Sequence, residues 1–131
     1  LRYILPYITT AEHYGIKVME QNYQLSGRIW IEGPDGTYLG AGRVTLLENI
    51  RDHGSISAAA RAMKMSYKRA WNLVDSMNRQ SQTPVVELTT GGKGGGGAVL
   101  TASGIKAIAC FRAAHRDFQA FMADRSEQLN L

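Results

Sequence analysis

A mainly α fold with a small β component is predicted by three stretches of the 131-residue sequence. Residues 55–79, SISAAARAMKMSYKRAWNLVDSMNR, carry helical apolar spacing twice, with a tight break between the two runs. VVELTT and AVLT, on either side of GGKGGGG, read as two short strands joined by a glycine-rich loop. ASGIKAIACFRAAHRDFQAFMADRSEQL is one long helical pattern. Two short helices followed by a two-stranded wing make a winged helix-turn-helix. The chain adds an N-terminal hairpin and a long C-terminal dimerisation helix, with residues 25–131 forming one domain.

Residues 1–24 form an N-terminal arm of unknown role. They hold scattered aromatics (Tyr3, Tyr7, Tyr14, Tyr23) and no sustained period. From 25 to 39 the pattern changes: RIWIE alternates, GPDG signals a turn and TYL returns antiparallel, which predicts a hairpin. Trp30 is read there as a packing residue. GAGRVTLLENIRDHG then places Val44, Leu47 and Ile50 three residues apart and ends on Gly54, a helix with a left-handed stop. His53 in its last turn suits the helix dipole better than a metal.

In the helix-turn-helix, 55–82, Ser57 is the expected cap of the first helix and Ser66 of the second. Ala59 and Ala60 permit a close helix crossing, and Met63, Met65, Ala70 and Leu73 supply inward apolar atoms. Arg61, Lys64, Tyr67, Lys68, Arg69 and Asn72 are left facing outward. From Ser55 to Asn72 that gives four positive charges and no carboxylate, a surface suited to an anion lattice such as duplex DNA. The turn position that usually takes glycine is Lys64 or Met65.

The wing covers 85–101. Its loop glycines (Gly91, Gly92, Gly94, Gly95, Gly96 and Gly97) can lie close to a sugar-phosphate backbone and offer amides, with Lys93 supplying charge. Gly92, Gly94 and Gly97 also satisfy GxGxxG, but that fingerprint must open a helix and here a strand follows. A Walker loop fails because Gly94, not Ser or Thr, follows Lys93. Thr101 caps the last helix, 102–129. There Ile108, His115, Met122 and Leu129 recur every seven residues with Phe111 and Phe118 between them. That stripe predicts a homodimer seam of Ile108, Phe111, Phe118 and Met122, pairing with its copy or with Val44 and Leu47 of the partner's first main helix.

With 44% hydrophobic and 20% charged residues the chain can bury a real core, and its net charge of +4 favours a polyanionic partner. One cysteine, Cys110, excludes an internal disulfide framework and fits a reducing, cytoplasmic setting. No apolar run approaches a membrane span. No nucleophile and base share a face, since Cys110 and His115 are five apart on one helix, and no cluster has metal-ligand spacing. No catalytic residue and no metal site are therefore expected. The competing reading is a winged-helix protein-interaction module that never touches DNA.

GSIS, SYKRAWNLVDSMN and TGGKGGGGAVLTASG together resemble the N-terminal DNA-binding domain of bacterial molybdate-responsive ModE-type transcription regulators, a LysR-like winged helix-turn-helix. The likeness runs from about Arg43 to Met122. It implies that Ser66, Tyr67, Lys68, Arg69 and Asn72 open the recognition helix and meet the major groove and phosphates, with Lys93 at the wing tip. Trp71 matches too, and its helical phase predicts that it turns to the core. The resemblance further implies a cytoplasmic homodimer associated with molybdenum metabolism. Molybdate sensing in such regulators belongs to C-terminal domains expected to be missing from this chain, so no cofactor is expected on these 131 residues.

Overall fold

The computed structural model describes residues 23–90 and 96–131. The larger of two compact units is 28–118; the described residues of the other are 23–27 and 119–131. The described elements run β1 (Ile31–Gly33), β2 (Gly36–Leu39), α1 (Ala41–His53), α2 (Ile56–Ala62), α3 (Tyr67–Gln80), β3 (Val86–Thr89), β4 (Gly97–Leu100) and α4 (Ala102–Glu127). Each β pair is a two-stranded antiparallel sheet. The expected hairpin is present but shorter than 25–39, because residues 25–30 join no ladder. Gly36, at φ 103, makes its turn possible.

α1 buries Val44, Leu46, Leu47 and Ile50 and packs on α2, β2 and β4. It stops at Gly54, left-handed at φ 80, whose N–H returns to the Ile50 carbonyl. The Gly54 carbonyl then accepts from Ala98 N at 2.9 Å, tying the end of α1 to the wing strand β4. α2 is capped by Ser55 and not by Ser57: Ser55 Oγ accepts from Ala58 N, the residue three on, at 3.0 Å. Ser57 lies inside the helix, where its hydroxyl accepts from Arg61 Nη1.

Asn78 locks the far end of α3 to the wing. Its Oδ1 accepts from Val85 N (2.8 Å) and Val86 N (3.2 Å), and its Nδ2 donates to Val86 O (3.0 Å). Thr101 caps α4 as expected, accepting from Gly104 N at 3.1 Å, and its own hydroxyl donates to Pro84 O. Arg112 of α4 makes a two-pronged ion pair with Glu48 of α1 (2.6 and 3.1 Å), which holds the arginine's pKa above its usual value.

The core of the larger unit changes the reading of the apolar stripe. Val44, Leu47 and Phe111 have no exposed surface and Ile108 has 8%. These four are enclosed in the protomer's own core and cannot form the expected dimer seam. Heptad spacing reports that one face of a helix is apolar, not what covers it. Phe118 is half-buried, and Met122, in the other unit, keeps 9% of its surface. In that smaller unit Leu25 N donates to Ser126 Oγ at 2.7 Å.

Candidate nucleic-acid interface

α3 buries one stripe, Ala70, Val74 and Met77, at spacings of four and three. Rotation by about 100° per residue puts Trp71 off that stripe, and it is 40% exposed, contrary to the core position expected of it. Ser66 caps the helix through Arg69 N at 3.1 Å. Tyr67, Lys68, Arg69, Trp71 and Asn72 all lie exposed along the opening turns, with Tyr67 at 54%. Arg61 and Lys64 are exposed on α2 and in the turn, so every residue predicted to face outward from the helix-turn-helix does so. Lys93 and Gly91, Gly92, Gly94 and Gly95 lie outside the described residues. Gly96 is exposed and Gly97 begins β4.

Lys64 is the residue in the left-handed turn, at φ 57. Its N–H bonds to Arg61 O and that of Met65 to Ala60 O, a Schellman closure made without glycine. Left-handed backbone costs a side-chain-bearing residue about 1–2 kcal/mol, partly offset by the greater freedom glycine has in the unfolded chain. Lys64→Gly is expected to raise stability by about 0.5–1 kcal/mol in urea denaturation. A loss of stability would mean that the lysine side chain holds the turn.

The cations of this face have no ion-pair partner among the described residues. Among the described residues the ion-paired arginines are Arg51, Arg79 and Arg112. None of Arg43, Arg61, Lys64, Lys68 and Arg69 pairs with a described carboxylate. In the sequence Arg43 is one arginine at the start of a helix and carries no functional signal. In the fold it reaches α3 and, with Ser66, Lys68, Arg69, Asn72 and Leu73, lines an open basin of about 410 Å³. Burial, then the charge of Arg69, lowers the Arg43 pKa below its usual value.

No group of three or more His, Cys, Asp or Glu among the described residues is placed to hold a metal. Cys110 is exposed, and His115 stacks on Phe111 at a ring separation of 5.8 Å. None of the described helices is long and apolar enough to cross a membrane.

Residues 42–105 match the bacterial regulatory helix-turn-helix protein family of LysR type. The chain is 47% identical over 96 residues to the molybdenum-pterin-binding protein MopB of Rhodobacter capsulatus, covering 73% of this chain and 36% of that protein. It is 39% identical over 103 residues to the molybdenum transport protein ModE of Azotobacter vinelandii, covering 79% and 38%. To the DNA-binding transcriptional dual regulator ModE of Escherichia coli K12 it is 50% identical over 66 residues, covering 50% and 25%. The aligned part thus spans little more than a third of these relatives at most.

Proposed function

We propose, from the match of residues 42–105 to the LysR-type family of bacterial helix-turn-helix regulators, that this chain is the DNA-binding part of a ModE-like transcription regulator linked to molybdenum. The observation that carries the reading is the exposed face from Arg61 to Asn72, four cations with no carboxylate, at the opening of a helix held rigidly by its cap and by Asn78. Phosphate oxygens supply the missing negative charge, while Tyr67, Trp71 and Asn72 are free to meet base edges and thymine methyl groups. The relatives named for transcriptional regulation and molybdenum support the biological assignment.

Salt dependence tests it. Binding to random duplex DNA should weaken steeply with salt, with a log–log slope of about −3.6 if about four phosphates are neutralised at about 0.9 each. Absence of binding at low salt would support the protein-interaction module instead. The proposal includes a homodimer, so that two copies of α3 address half-sites about one helical turn apart. With Val44, Leu47, Ile108 and Phe111 spent on the core, Phe118 is the member of the expected seam in the larger unit that still reaches the surface. A monomer in sedimentation at high micromolar concentration would remove that part of the reading.

A further inference from the structure

We propose that the basin between the start of α1 and the start of α3 is a seat for one DNA backbone phosphate, and that Arg43 is a DNA contact. This rests on the DNA-binding reading and adds to it a residue from outside the two helices of the helix-turn-helix.

Three observations converge on the basin. It is lined by three cations, Arg43, Lys68 and Arg69, with Ser66 and Asn72 as the remaining polar groups and no carboxylate. Arg43 is held in place from behind: among the described residues both of its hydrogen bonds leave from Nη1, to Ser76 Oγ at 3.0 Å and to Tyr38 O at 3.4 Å. Nη2 and Nε therefore retain their donors, the two-pronged arrangement that suits a phosphate. The half-buried guanidinium is also destabilised as a cation, by burial first and then by Arg69. An anion between the two arginines offsets their mutual repulsion and favours the charged guanidinium.

The position of Arg43 says what such a contact would do. It is rooted on α1 and braced against β2 and α3, whereas Lys68 and Arg69 sit on exposed, unbraced stems. The start of α3 carries the positive end of its helix dipole into the same basin. A phosphate anchored there sets how far α3 enters the groove and leaves Asn72, about one turn along α3 from Lys68, to meet bases. Arg43 then contributes affinity without sequence preference.

The test is the salt titration repeated on Arg43→Gln, with a panel of duplexes of different sequence. Loss of one phosphate contact should lower affinity about tenfold at about 0.1 M salt, equally for every sequence, and make the slope shallower by about 0.9. Wild-type affinity and slope in Arg43→Gln, alongside a wild-type chain that binds, would overturn the seat and leave the DNA-binding reading intact. Failure of the wild-type chain to bind any duplex would overturn both. A loss confined to some sequences would place Arg43 on a base and overturn the phosphate assignment. Because Arg43 also bonds Ser76 and Tyr38, thermal melting must first show that Arg43→Gln is folded. If it is not, Arg43→Lys decides: it keeps the charge but not the two-pronged geometry. A few-fold weaker affinity with an unchanged slope supports the seat, and wild-type affinity overturns it. Inorganic phosphate at about 10 mM distinguishes a free-anion site. Phosphate that raises the wild-type melting temperature, with no slope difference between Arg43 variants, assigns the basin to the free ion and overturns the DNA contact.

Discussion

Phe111→Ala is expected to remove about 3–5 kcal/mol of folding stability, a large share of the roughly 5–15 kcal/mol typical of a domain this size. The ring has no exposed surface and stacks on His115 at an interplanar angle of 20°, so truncation leaves a cavity lined by core side chains. The same substitution separates two accounts of the apolar stripe on α4. A core residue loses its stability independently of protein concentration. A residue at a dimer seam loses it through association, with a midpoint that moves as the protein is diluted. Urea denaturation at two concentrations about fiftyfold apart should show the same Phe111→Ala deficit at both. A deficit that disappears on dilution would return Phe111 to the subunit interface and contradict its enclosure in one protomer.

Gly104→Ala is expected to destabilise by about 2–4 kcal/mol, although alanine is ordinarily the better helix residue by about 1 kcal/mol. A Cβ at 104 would clash with Val85 O at 2.3 Å and lie 3.2 Å from Val85 C, backbone atoms with no room to give. The Val85 carbonyl also accepts from Thr101 N at 3.1 Å, and Asn78 binds the Val85 amide, so displacing this peptide loosens the joint among α3, the wing and α4 together. Gly42 is the internal control. It lies in α1 with open space for 4 Å around the point where a methyl group would stand, and Gly42→Ala should stabilise by about 0.5–1 kcal/mol. Denaturation midpoints of the two variants moving in opposite directions would confirm the close approach at 104. A neutral Gly104→Ala would show that α4 can slide off β3 at little cost.

Much of this fold was legible because its signals are local. Ser66, Gly54 and Thr101 act on backbone groups within four residues of themselves, and each cap or stop occurs where the sequence places it. The left-handed turn at Lys64 is set by the short span between two helices, and the carboxylate-free run from Ser55 to Asn72 needs no fold to be noticed. Even here a neighbouring serine misled: Ser55 and Ser57 are both good caps, and the choice depends on which residue leaves helical geometry first.

Tertiary structure decided what each apolar face covers and which charges meet. Ile108 and Phe111 have the spacing of a seam, yet enclosure of the core takes them, because α4 packs its first half into its own domain. Trp71 differs from Ala70 by one step around the helix, and that step moves a large ring from the core to the surface that faces solvent. Arg43 is the sharper case. Its sequence neighbours are Gly42 and Val44, which say nothing of DNA, while its neighbours in space are Lys68 and Arg69, about 25 positions along the chain. Periodicity and capping act over one turn of backbone and can be read from residues in order. The convergence of three cations on one basin depends on how α1 crosses α3, a long-range packing outcome that no local pattern encodes.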